Sequence, residues 1–81
     1  MRVVADIPNP HVKITLHSYN GKYILKLEKA NLEQIYKIEE TEVMGDEGVK
    51  ALIDEEFIEG VLNRFQDMRD VFVSTVRRNN G

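Results

Sequence analysis

Cysteine is absent from this chain of 81 residues. Its absence excludes a disulfide framework, a thiol nucleophile, a redox pair and a thiolate zinc site. No apolar run approaches the roughly 20 residues that a membrane-spanning helix needs. The apolar run at the N-terminus ends at Asp6, which makes it too short for a secretory signal. These absences favour a cytoplasmic protein with no membrane segment.

Charge is distributed unevenly along the chain, although the formal net charge is only −3. Residues 1–27 hold four basic and one acidic side chain, residues 28–59 hold three and eleven, and residues 60–81 hold four and two. Nucleic acid is not expected as a partner of so acidic a middle segment, because neutralised phosphates supply most non-specific affinity. The alternative that stays open is a nucleic-acid-binding or regulatory module that uses Arg64, Arg69, Arg77 and Arg78.

Length and composition predict one small globular domain. Apolar residues make up 42% and charged residues 31%, which is typical of a folded chain and not of a disordered one. A chain this short builds a single small core. We interpret residues 1–81 as one domain, with an extended arm at 1–10, an antiparallel sheet at 11–40 and a helical region at 46–78. Val3-Val4 in the arm is a candidate edge strand.

The clearest local pattern is an alternation of apolar and polar residues on both sides of Asn20-Gly21. This dipeptide is the strongest short hairpin signal, because both central residues of a type I′ turn need positive φ. A two-residue turn there pairs residues whose numbers sum to 41. Leu16 then lies opposite Leu25, and Ile14 lies opposite Leu27. Turn chemistry and hydrophobic pattern therefore agree on one register.

A third alternating run, residues 33–39, predicts one more strand. If its residue numbers and those of the second strand sum to 61, Leu25 lies opposite Tyr36 and Tyr23 lies opposite Ile38. A slip by one residue would turn these two side chains of the third strand towards solvent, so we prefer the first register.

The C-terminal region predicts two helices with a break near Ile53-Asp54. Asp54 suits an N-cap and acidic residues follow it, while Arg77-Arg78 suit the far end of the helix dipole. Between them apolar residues recur at spacings of three and four, which predicts an amphipathic helix of about 23 residues, or ~34 Å. The predicted fold class is therefore α+β. It comprises a three-stranded antiparallel meander followed by a short helix and a long C-terminal helix packed on one sheet face.

The long helix exceeds the predicted strands in length, because eight extended residues reach only about 27 Å. Its last turns are apolar, so they leave surface that a small sheet cannot cover. We expect a homodimer held by the C-terminal half of this helix, with the open strand edges as a second contact. The expected self-association residues are Phe65, Met68, Phe72, Val73 and Val76. In the alternative, the short first helix folds back over these residues within one chain.

No group of residues predicts catalysis, a cofactor or a metal site. His11 and His17 lie about 20 Å apart on an extended strand, which is too far for one metal ion. The acidic residues around Gly45 lack the alternating spacing of a calcium loop, and no serine or threonine has the context of an activated nucleophile. The expected function is a small non-enzymatic interaction module that also engages an unidentified protein partner.

Four short segments resemble those of short, uncharacterised bacterial proteins of similar length. The segments are Lys13-Ile14-Thr15-Leu16, Asn20-Gly21-Lys22-Tyr23, Leu32-Glu33-Gln34 and Leu52-Ile53-Asp54-Glu55-Glu56-Phe57-Ile58. The resemblance covers about residues 11–68, and it implies no activity, cofactor or site.

Overall fold

Four antiparallel strands precede two α-helices in the computed structural model, which describes residues 1–80. The elements are β1 (Arg2–Ile7), β2 (Lys13–Tyr19), β3 (Lys22–Lys29), β4 (Leu32–Glu39), α1 (Gly45–Ala51) and α2 (Glu55–Asn80). The strands lie in the order β1-β2-β3-β4, so each strand pairs with its neighbour in the sequence. The predicted α+β class, with a short helix before a long one, is confirmed.

The predicted count of three strands is wrong, because most of the expected N-terminal arm forms β1. This strand pairs with β2, and Ile7 lies opposite Ile14. The register shifts between Val3 and Ala5, where a β-bulge interrupts the two-residue alternation that marks a strand in a sequence. The segment therefore becomes a strand by pairing with the free edge of β2, and its own pattern identifies it only weakly.

Both predicted registers are confirmed. Leu25 lies opposite Leu16 in β2 and opposite Tyr36 in β4. The β2–β3 turn has φ values of 52° at Asn20 and 74° at Gly21, as a type I′ turn requires. Most apolar residues of these strands therefore share one face, called here the inner face of the sheet, whereas Ile24 and Ile35 point to the opposite, outer face.

The core lies between the inner face and the two helices. Its buried residues are Val12, Ile14, Leu16, Tyr23, Leu25, Leu27, Val49, Val61 and Phe65. The first six come from the sheet and its approach, Val49 comes from α1, and Val61 and Phe65 come from α2. Within residues 1–80, no helix covers the opposite, outer face of the sheet.

Contacts with β4 set the direction of α2. The rings of Phe57 and Tyr36 meet edge to face with centroids 5.4 Å apart. One turn later the Gln34 side-chain amide donates to the Val61 carbonyl at 3.0 Å, and Leu32 lies beside the following turns. The helix therefore runs antiparallel to β4. Its 26 residues extend about 39 Å, whereas the eight residues of β4 extend about 27 Å.

The predicted break between the helices is also confirmed, since α1 ends at Ala51 and α2 begins at Glu55. Asp54 caps α2, because its Oδ1 accepts a hydrogen bond from the Phe57 backbone N–H at 2.8 Å. The last helical residue is Asn80, two positions beyond the predicted helical region.

Candidate functional site

The C-terminal part of α2 projects past the β3–β4 turn and exposes apolar side chains. We call them the late-α2 patch, and its members are Met68, Val71, Phe72, Val73 and Val76. Val71 and Phe72 are 68% and 63% exposed, and Val76 is 40% exposed. Met68 and Val73 are half-buried. The patch exists because α2 is about eight residues longer than the sheet beneath it.

The structure brings four of the five predicted self-association residues together on this patch. The fifth, Phe65, is only 2% exposed and packs in the core of the single chain, so it contributes no free surface. Val71, which is 68% exposed, was not among the predicted residues, although it flanks Phe72 as Val73 does. The alternative of a covering α1 does not occur, since the buried residue of α1 is Val49 in the core and Phe72 stays exposed.

A shallow apolar cleft of about 470 Å³ lies where α2 leaves the sheet. Its lining residues are Leu32, Asp67, Met68, Val71, Phe72 and Thr75. Leu32 starts β4, so the cleft joins the end of the sheet to the late-α2 patch. The apolar surface available to a partner therefore extends from α2 to the start of β4.

Charged side chains lie near the patch along α2, with aspartates in the turns before it and arginines at the helix end. Asp67 Oδ2 lies 3.1 Å from Arg64 Nε, and Asp70 accepts a hydrogen bond from the Gln66 amide at 2.9 Å. All of these side chains are exposed. These side chains are therefore already accessible to a partner in the folded single chain.

The four arginines of α2 do not share a face. At 100° per residue, Arg64 and Arg69 point roughly 140° apart, and Arg64 is already paired with Asp67. Arg77 and Arg78 are adjacent at the helix end. The geometry therefore provides no basic stripe for the nucleic-acid alternative.

A separate polar cluster ties β1, β3 and α1 together. The Tyr23 hydroxyl donates to Asp46 Oδ1 at 2.7 Å, and the Arg2 guanidinium donates to both Asp46 oxygens at 3.3 and 3.4 Å. Hydrogen bonds from Arg2 and then from Tyr23 hold the pKa of Asp46 below its usual value. The hydrogen bond to Asp46 is also the main cause that raises the pKa of Tyr23. Because the three groups satisfy one another, we interpret the cluster as an anchor for α1.

The part of the chain that the structure describes has neither a cluster of metal-ligating side chains nor an unsatisfied buried polar group. Within residues 1–80, no three His, Asp or Glu side chains converge as metal ligands, and no buried side-chain nitrogen or oxygen lacks a hydrogen-bond partner. Another cleft, of about 650 Å³, lies at the β1–β2 loop. There Asn9 Oδ1 accepts hydrogen bonds from the backbone N–H groups of His11 and Val12, so its polar group stabilises the loop itself.

Comparisons of the chain with protein-family models, with curated proteins and with solved structures find no match. The resemblance to short bacterial proteins and the cytoplasmic location stay predictions. Neither helix in residues 1–80 combines the length and the apolar character that a membrane crossing requires. The late-α2 patch is the candidate site with the strongest physical basis, and its chemistry is that of an interface.

Proposed function

We propose that the protein is a small non-enzymatic interaction module that forms a homodimer through the late-α2 patch. Three apolar side chains carry this proposal, because Val71, Phe72 and Val76 remain exposed after the chain has folded. They lie together on one projecting helix end. Contiguous exposed apolar surface is typical of sites that bind another macromolecule.

The flanking charges support a second copy as the partner, with the two helices antiparallel. Asp67 and Arg78 are eleven residues apart, about three turns, so both lie on one flank of α2. If two copies cross near Phe72, Arg78 of one copy meets Asp67 of the other. A parallel pair would instead place the arginines beside one another.

The contact is small, so we expect a dimer that dissociates on dilution. Only the helix from residue 68 onwards, together with the cleft at Leu32, is available to it. Stable interfaces bury about 1,200–2,000 Å² in total, and smaller ones are typical of weak or transient complexes. The mass in solution should therefore rise with protein concentration.

Phe72→Glu is expected to lower the average mass in solution, because it places a charge at the centre of the patch. Ser74→Glu is the matched control, since Ser74 is exposed on the opposite side of the same helix turn. Sedimentation velocity over a wide concentration range measures both variants. Circular dichroism should show unchanged helix content, because Phe72 lies outside the core.

A wild-type chain that stays monomeric at every concentration would contradict the proposal. An equal mass for wild type and Phe72→Glu would also contradict it. The antiparallel arrangement has its own test, because Arg78→Asp should weaken the dimer and Arg78→Asp with Asp67→Arg should restore it.

A further inference from the structure

The outer edge of β4 is the open edge of the sheet that is best suited to pairing. Its register with β3 runs without a shift from Leu32 to Glu39. The other edge strand, β1, has a bulge between Val3 and Ala5 and is followed by Pro8. Bulges and prolines oppose edge-to-edge pairing. The β1 edge is therefore protected against pairing, whereas the β4 edge is regular and open.

Odd-numbered residues of β4 direct their backbone groups to this open edge. The Glu40 N–H donates to the Gly21 carbonyl at 3.0 Å in the register whose residue numbers sum to 61. Hydrogen-bonded and non-hydrogen-bonded pairs alternate along an antiparallel ladder, so Ile38 and the other even residues bond to β3. The residues with outward backbone groups are therefore Glu33, Ile35, Lys37 and Glu39.

We propose that β4 pairs antiparallel with β4 of a second copy, in the register whose residue numbers sum to 70. Ile35 then lies opposite Ile35 of the second copy, on the two-fold axis, and Glu33 lies opposite Lys37 on each side of it. Each of these three pairs belongs to the type that exchanges two backbone hydrogen bonds, so about six such bonds form. Two four-stranded sheets become one continuous sheet.

Side chains on both faces fit this register. On the outer face Ile35 is 52% exposed. In the pair it would contact Ile35 of the second copy, with one pair of opposite charges on each side of this contact. On the inner face Leu32 would lie opposite Ile38, and Gln34 opposite Tyr36. Tyr36 is 39% exposed in the single chain, and the second copy would shield it.

Charge disfavours the neighbouring registers. Only even sums keep the inner faces of the two sheets on the same side. A sum of 72 would place Glu33 opposite Glu39 of the second copy. A sum of 74 would place the two copies of Lys37 opposite each other, and a sum of 66 would place the two copies of Glu33 opposite each other. A sum of 68 would set Glu33 against Ile35. Like charges directly opposite each other destabilise a sheet, so the sum of 70 is the complementary choice.

Lys37 is also free to pair with a second copy. Within residues 1–80 it belongs to none of the ion pairs, whereas on the outer face Lys22 contacts Glu39, and Lys26 contacts Glu28 at 3.0 Å and Glu33 at 3.8 Å. Space is also available beside Gly60 of α2, because a Cβ placed there would have no neighbour within 4 Å. The helix therefore leaves space on the side that Gly60 faces.

The β4 edge and the late-α2 patch are separate two-fold contacts, and a chain that uses both would assemble beyond a dimer. The test of the β4 edge is therefore made in the Phe72→Glu background, in which the helix contact is removed. This chain is expected to be a dimer at high concentration in sedimentation velocity. Its remaining association would come from the β4 edge.

In that background Lys37→Glu and Glu33→Lys are each expected to give a monomer, because each places like charges opposite each other twice. An equimolar mixture of the two variants is expected to restore a dimer, since both pairs of residues 33 and 37 are then opposite in charge. Native mass spectrometry distinguishes this heterodimer from either homodimer. Lys29→Glu is the control, because it makes the same charge change on an exposed residue of β3 away from the edge.

A single cysteine tests the register directly, since the chain has none of its own. Ile35→Cys is expected to form a disulfide-linked dimer under mild oxidation, because paired Cα atoms of this type lie about 5.5 Å apart. Lys37→Cys should link poorly, since the two copies of residue 37 would be roughly 14 Å apart.

Several outcomes would overturn the pairing of β4. They are a monomeric Phe72→Glu chain at every concentration, a dimer that persists in both charge variants, and equal cross-linking at positions 35 and 37. If wild type is a dimer and Phe72→Glu a monomer, the proposed function survives and the β4 edge fails. If Phe72→Glu does not change the mass in solution and the charge variants abolish the dimer, the β4 pairing survives and the proposed function fails.

Discussion

Phe65 and Phe72 are identical side chains on one helix, seven positions apart, yet they are 2% and 63% exposed. Replacing each with alanine therefore separates the core from the late-α2 patch. Phe65→Ala is expected to lower the free energy of unfolding by about 3–5 kcal/mol, the usual cost for a buried phenylalanine. Phe72→Ala should cost only roughly 0.5–1 kcal/mol, because about one third of the side chain is shielded and full burial stabilises by about 1.5–3 kcal/mol.

Urea unfolding followed by circular dichroism at low protein concentration measures both values. A domain of this size has a total stability of about 4–12 kcal/mol, so Phe65→Ala can leave the chain partly unfolded in water. Phe65→Leu then provides the measurement, because it removes less volume from the same site. At high concentration the wild type should gain stability from association, whereas Phe72→Ala should gain less.

Equal losses at the two positions in dilute solution would refute the reasoning, because Phe72 would then be part of the single-chain core. If the free energy of unfolding of the wild type does not depend on protein concentration, the predicted gain from association is wrong.

Three further predictions concern backbone conformation and pH, and urea titration measures all of them. Gly60→Ala should stabilise the monomer by about 0.5–1 kcal/mol, since Gly60 is inside α2 and a Cβ there meets nothing within 4 Å. Ala30→Gly should also stabilise the monomer, because Ala30 has a φ of +54°, which glycine adopts without a steric cost. A loss of stability in either variant would contradict this account. Asp46→Asn should destabilise the chain near neutral pH. The pKa of Asp46 is lowered in the folded state, so its contribution is complete above its usual pKa of about 3.9 and is lost as pH falls through the lowered value. The difference between wild type and Asp46→Asn should therefore shrink in acid, and a constant difference would contradict the assignment.

Local signals in the sequence were sufficient for the sheet registers and the helix break. Asn20-Gly21 has the backbone freedom that a type I′ turn needs, and the alternation on both sides of it agrees with that turn. Asp54 is a short polar side chain placed three residues before Phe57, which is the spacing of an N-cap. These features depend on residues close together in the chain, so a sequence pattern can specify them.

The sequence also determined that α2 carries an apolar stripe, because a spacing of three and four residues aligns Phe65 with Phe72 on one helix face. Only the tertiary structure decided that the first is core and the second is surface. The sheet ends beneath the helix between these residues, and that end depends on how four strands pair. The same holds for β1, whose bulged pattern becomes a strand on the edge of β2, and for Arg2 and Asp46, which meet across 44 positions of the chain. Burial is a property of which surfaces lie against each other, and periodicity along one element does not determine where its neighbour stops.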